Sequence, residues 1–319
     1  MVFDKKAFKL DAGFRHQLIN LGTDRVLPTA VGVVIPTENK ENRLGAVGNL
    51  EIKLWDKVDV KSFLEYSNGK SFGNYLRSEN LLKLEPIKGY ILDAHVNFQS
   101  AIPSFNYLMN PSFYQNFNYN FGGAKNQSIT EIGGKINLKW FESSVFANYF
   151  RMDNFAYFGT DFLPKQSSET VNISQIGGEA TLKYWKLNFN TKLLFQSALS
   201  QKELLPMPNF VGRLNVFYQS KAFKNAAEIQ TGFKVYYFSK FKSRDYFPVL
   251  NEFVLSNSGT SIGGQPIADA YFNMKVKRMM IFAEAQHFNT TFMKNRSFAA
   301  PIFPIYDFRL NLGIVWYLF

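Results

Sequence analysis

The chain has 319 residues, 46% hydrophobic and 17% aromatic, with a formal net charge of +11 and no cysteine. The lack of cysteine excludes disulfides, thiol chemistry and Cys-based metal sites. Its 36 Lys and Arg are spread along the whole chain rather than massed, so no nucleic-acid partner is expected, and no apolar run approaches the ~20 residues of a membrane helix.

Taken in chain order, apolar and polar residues alternate with period two, the spacing of a strand whose two faces meet different surroundings. Strands are predicted over 7–19, 44–55, 57–66, 72–85 and 89–99. Residues 100–126 are read as one long aromatic excursion, partly strand-like. Within 129–140, Ile132, Ile136, Leu138 and Trp140 oppose Glu131, Lys135, Asn137 and Lys139. Within 171–184, Ile176, Ala180, Leu182 and Tyr184 oppose Gln175, Glu179 and Lys183. Leu187, Phe189, Leu193 and Phe195 then oppose Asn188, Asn190, Lys192 and Gln196. Further segments repeat the pattern around Arg213, around Glu228 and Lys234, and around Asp269 and Lys275.

The final segment, YDFRLNLGIVWYLF, puts Phe308, Leu310, Leu312, Ile314, Trp316 and Leu318 on one face. Arg309, Asn311 and Gly313 occupy the other. This ending resembles the sorting signal of outer-membrane barrels, with Trp316, Tyr317 and Phe319 carrying the likeness. Tyr317 and Phe319 lie opposite the apolar stripe.

The connections alternate in length. Short ones fall near 55–57, 85–88, 141–143, 185, 220–224 and 277–278. Long ones fall near 20–43, 154–170, 197–208, 240–264 and 291–305. Outer-membrane barrels have short periplasmic turns and long external loops. The expected fold is therefore all-β. It is a transmembrane antiparallel up-and-down β-barrel of 14 strands (16 as the alternative), forming one domain over 1–319. A soluble sandwich would need a second layer over each apolar face, and no amphipathic helix is present to supply one.

Several stretches carry a family resemblance. They are YYFSKFKSRDYFPVLNEFVL, IGGQPIADAYFNMKVKRMMIFAEAQHFN and FAAPIFPIYDFRLNLGIVWYLF, with LKLEPIKGYILDAHVNFQSAIPSFNY and LLPMPNFVGRLNVFYQS upstream. In order and spacing the chain resembles the putative porin family of Bacteroidetes-type Gram-negative bacteria. The resemblance implies an outer-membrane barrel in contact with outer-membrane lipid and inserted by the barrel-assembly machinery. It also implies a longer N-terminal region with a signal peptide. The start MVFDKKAFKLDAG has neither an apolar core nor a small-residue cleavage site. The chain is accordingly expected to be a mature or truncated form, or Met1 not to be the natural start.

If the polar face is the interior, it carries Lys53, Lys135, Lys139, Lys183, Lys192, Arg213, Lys234, Lys275 and Arg309. Against these stand Asp93, Glu131, Glu179, Glu228, Asp269 and Glu284, with Lys61, Glu51, Asp59 and Glu65 beside them. Such mixed charge suits either a salt-bridged wall or a weakly anion-preferring pore. No catalytic residue, cofactor or metal is expected. The Gly133-Gly134 and Gly177-Gly178 pairs lack phosphate-loop spacing and read as relief for a curved wall. Asp93 and His95 share a face, but no nucleophile motif accompanies them. The expected function is a channel for passive diffusion of small polar solutes or ions. The alternative is a non-conducting barrel docked in a larger complex with other outer-membrane or periplasmic subunits. A third reading, the C-terminal part of an energy-coupled transporter, would require a plug domain.

Overall fold

The alternating segments pair with their chain neighbours into one antiparallel sheet of 15 strands. The computed structural model describes residues 2–318 except 6, 24, 25, 31, 33, 56 and 295–297. Phe319 lies outside the described residues. The strands are β1 (Val2–Lys5), β2 (Phe8–Gly22), β3 (Glu38–Leu54), β4 (Val58–Ser67) and β5 (Tyr75–Ile87). Then come β6 (Tyr90–Ala101), β7 (Gln127–Leu138), β8 (Ser143–Asp153), β9 (Val171–Tyr184) and β10 (Leu187–Ala198). The last five are β11 (Phe210–Ala222), β12 (Ala227–Phe238), β13 (Ile267–Val276), β14 (Met279–Gln286) and β15 (Arg309–Trp316). Fourteen long strands match the expected number, and β1 adds four residues at the β2 edge. Among the described residues no pairing joins the β1–β2 edge to β15. Among the described residues no helix is long and apolar enough to cross a membrane.

Several boundaries differ from expectation, β5 for one running Tyr75–Ile87 rather than 72–85. Residues 20–43 are not one long loop, because β2 runs to Gly22 and β3 begins at Glu38, paired Gly22 to Glu38. Alternation is lost there because Asn20, Lys40 and Asn42 make the outer face polar, yet the backbone ladder continues. The last strand is also shorter than 306–319, beginning at Arg309 and ending at Trp316.

The sheet buries little by itself, since one layer offers no partner for either face. Leu310, Leu312, Ile314 and Trp316 of β15 are 59–71% exposed, and Phe14 of β2 is 98% exposed. Within a bilayer, that face meets lipid. The buried hydrophobic residues gather instead where the long connections meet. One cluster holds Tyr119, Phe158, Leu250 and Val254. A second holds Met152, Val171, Ile173 and Leu204. Residues 100–126, expected to be an aromatic excursion, contain a short helix (Phe105–Leu108), a 3-10 turn (Gln115–Phe117) and a small hairpin.

The four tryptophans of the chain mark the opposite end. Trp55, Trp140 and Trp185 sit in the tight turns, and Trp316 ends β15 opposite Met279. They are 66–83% exposed. Such a girdle places the short turns at a membrane–water interface.

Candidate functional site

Because neighbouring strands are in register, a face can be followed residue by residue across the sheet. Lys53 lies opposite Asp59, Asp59 opposite Lys83, Lys83 opposite Asp93, and Asp93 opposite Lys135. Five strands thus carry a row of alternating sign, and opposite charges across strands contribute roughly 0.2–1 kcal/mol each. Glu179 lies opposite Lys192, and Lys192 opposite Arg213. Glu228 lies opposite both Lys221 and Lys275, and Lys234 opposite Asp269. Glu284 is paired across from Tyr271, and Arg309 from Gln286. Glu131 and Lys183 share this face by their spacing along β7 and β9. Eighteen of the nineteen residues read as interior therefore fall on one face of the sheet. Lys139 is at the rim, just past β7, where its stem lies against Gly89.

The side chains on this face form three groups. Near the first strands, Arg15 pairs with the buried Glu65, reaching across β3. In the middle, Glu131 takes a hydrogen bond from Asn97 Nδ2 (3.1 Å) and faces His95 Nε2 at 3.3 Å. His95 therefore partners Glu131, while Asp93 accepts from Asn137 Nδ2 (3.2 Å); the Asp93–His95 pair does not come together. Farther along, Glu179 holds Lys192 Nζ at 2.5 Å and Lys135 Nζ at 3.7 Å. Lys234 Nζ reaches Glu284 at 3.5 Å across β13 and lies over the Tyr271 ring. Asp269 is buried and accepts the His287 backbone N–H at 2.9 Å. Lys183 pairs with Glu142 at the turn end. Contacts that skip a strand, such as Lys135 to Glu179, Lys234 to Glu284 and Arg15 to Glu65, are made on this polar face.

Sequence reasoning missed what stands over the long-loop end of this face. There the strands turn Ile129, Phe150, Met152, Val171 and Ile173 to the same side as the charges. Leu204, Leu205 and Met207 from the 199–209 connection pack onto them. Above lies a four-stranded cap sheet made from residues 156–166 and 245–254. Tyr107 stacks on the fully buried Phe158 at 4.7 Å between ring centroids. The cap also links distant connections. Asn106 Nδ2 donates to Glu252 (3.0 Å), Asn118 Nδ2 donates to the Pro28 carbonyl (3.2 Å), and Tyr246 meets Phe303 edge-on. Burial lifts the Tyr107 and Tyr119 hydroxyls above their ordinary pKa, with the Glu252 charge adding to it. Arg244 beneath the cap donates to the Leu204 carbonyl, and burial pushes its guanidinium pKa down. The density of aromatics in 100–126 and 240–264 was the available signal, but periodicity gives no account of packing between loops.

At the turn end, Trp316 points to the apolar face and the Tyr317 N–H donates to the Arg278 carbonyl (2.8 Å). Among the described residues, no three His, Asp or Glu side chains gather as a metal site would require.

The sequence matches the family described as putative porin over residues 2–319. The chain belongs to that family. A search of curated proteins finds no match. Among solved structures, the porin-family fold is similar to the ferric enterobactin receptor PfeA of Pseudomonas aeruginosa (TM-score 0.66, 14% identity, 94% of this chain and 48% of that one). It is similar to the FrpB iron transporter of Neisseria meningitidis (0.66, 12%, 98% and 53%). It is also similar to the siderophore receptor PirA of Acinetobacter baumannii (0.66, 10%, 99% and 53%). The chain spans about half the length of these receptors, and at such identities the likeness is one of fold. Family and fold are together those of outer-membrane transport barrels, and the porin-family chain is a protein of the bacterial outer membrane.

Proposed function

We propose that the polar face lines a channel through which small polar solutes or ions cross the outer membrane passively. One observation carries this reading. A polar face and an apolar face run opposite each other, in register, across the fourteen long strands, and every one but β8 carries charge on the polar face. In this reading the β15 edge meets the β2 edge. Fourteen alternating strands leave those two antiparallel, as closure of an even-stranded barrel requires. The short turns are periplasmic and the cap is external. Lipid covers the apolar face, the barrel-assembly machinery inserts the chain, and no catalysis, cofactor or nucleic acid is involved.

The test is conductance of the refolded chain in a planar bilayer under a salt gradient. Stepwise currents are expected, and a folded chain without current would overturn the channel. Replacing Lys135 and Lys139 by Ala should lower anion preference, and an unchanged reversal potential would count against their role. The aromatic cap favours a second reading, a non-conducting barrel whose cap docks with a further outer-membrane subunit. Co-purification of such a subunit with a silent barrel would support it.

A further inference from the structure

Most of the polar face balances its charges. Lys53, Asp59, Lys83, Asp93 and Lys135 alternate in sign across the register, and Lys234 has Glu284. The β7–β12 stretch departs from this. There a recess of about 540 Å³ opens on the polar side, lined by three cations, Lys135, Lys192 and Arg213, and one carboxylate, Glu179. Glu179 is already shared between the two lysines. Arg213 donates from Nη2 to Asn190 Oδ1 at 2.5 Å, while its buried Nε–H has no partner. Of the neighbouring carboxylates on the face, Asp93 lies opposite Lys135 and Asp269 is engaged by the His287 backbone.

The floor of the recess is of opposite character. Phe146, Leu194, Val211, Tyr236 and Phe238 supply it. An apolar floor with a few convergent polar groups, at this volume, is the usual form of a small-molecule site. Lys135 has Asp93 opposite it and Lys192 has Glu179, so Arg213 is left as the uncompensated positive charge that selects the sign of the ligand. A guanidinium suits a carboxylate better than a neutral polar group.

We propose that this recess binds a small amphipathic anion, a carboxylate carried on an aromatic or apolar body. The body lies on Phe146 and Phe238, and the carboxylate reaches Arg213 and Lys192. This deepens the channel reading, resting on the polar face being the lumen but not on the lumen conducting.

The experiment titrates the refolded full chain with 3-phenylpropionate and with its neutral isostere 3-phenylpropionamide, by calorimetry in matched detergent. The carboxylate is expected to bind at least tenfold more tightly than the amide. Arg213→Gln and Lys192→Gln should each erase that preference. Lys61→Gln, remote on β4, should leave it intact. Equal binding of the two compounds, or an undiminished preference in Arg213→Gln, would overturn the proposal. If Arg213→Gln fails to fold, Lys192→Gln alone decides. Binding without conductance would remove the channel and keep the recess. Conductance with no preference for the carboxylate would do the reverse.

Discussion

At the scale of single residues, the polar face joins aromatic rings to glycines. Phe146 lies opposite Gly177, Phe217 opposite Gly232, and Phe282 opposite Gly313. A Cβ on Gly177 would come within 2.6 Å of the Phe146 ring and 2.7 Å of the Leu193 carbonyl. The ring could turn, but the backbone carbonyl could not. Gly177→Ala should therefore cost about 1–3 kcal/mol, the usual range for overpacking, read as a lower urea midpoint. Tyr119 gives a pH effect of definite sign. Its hydroxyl, ordinarily titrating at 10.0, is pushed up mainly by burial. A group with a raised folded pKa contributes its stability below the unfolded value and loses it as pH rises. The cap should be unchanged to about pH 9 and loosen above about pH 10. Ultraviolet absorbance should show this tyrosine ionising after the exposed ones, and simultaneous ionisation would contradict its burial.

At the scale of elements, hairpins are latched to their neighbours by buried polar groups. Glu41 and Arg43 on β3 are paired at 2.8 Å with side chains 6% and 9% exposed. Arg43 Nη2 donates to the carbonyls of Phe72 (2.6 Å) and Gly73 (2.8 Å). Glu41 in turn accepts the backbone N–H groups of Lys70 (3.1 Å) and Phe72 (2.8 Å). The long β2–β3 hairpin is thereby tied to the β4–β5 connection. Arg43→Gln should cost about 1–3 kcal/mol, because it strands buried acceptors. Faster hydrogen exchange confined to 38–44 and 68–74 is the expected signature. The cap has a core of its own. Phe158→Ala, at a fully buried site, should cost about 3–5 kcal/mol locally. Exchange should accelerate in 105–120 and 245–255 while the β10–β12 wall stays protected.

At the scale of the whole molecule, the sheet leaves its apolar face exposed and keeps its buried core in the cap. A water-soluble domain does the opposite, so this arrangement fits a protein whose solvent on one face is lipid. Neighbouring strands are spaced by roughly 4.8 Å. The loops after β6 and β12 leave strands several steps apart, yet Asn106 and Glu252 meet. The long connections thus reach across the polar side of the sheet. If the strands close as proposed, an unheated sample in SDS should migrate differently from a boiled one. Identical migration would argue against a closed barrel.

The strand number and the division into two faces were legible in the sequence because both follow from period-two alternation. Side chains on a lipid-facing sheet need only the right polarity on each side. The register then brought eighteen of the nineteen chosen polar residues to one face, since hydrogen-bonded neighbours preserve sidedness. Alternation failed at 20–22 and 38–43, where a hairpin extends past its apolar band and only backbone bonding sustains it. It also said nothing of the partners within the face: His95 lies against Glu131 rather than Asp93, and one carboxylate serves two lysines at the recess. Sequence alone determined the all-β pattern, the two-faced wall and the family. Tertiary structure alone decided the capped end, the girdle of four tryptophans and the charge excess around Arg213. These depend on which distant segments the folded chain brings together, a quantity that local spacing does not encode.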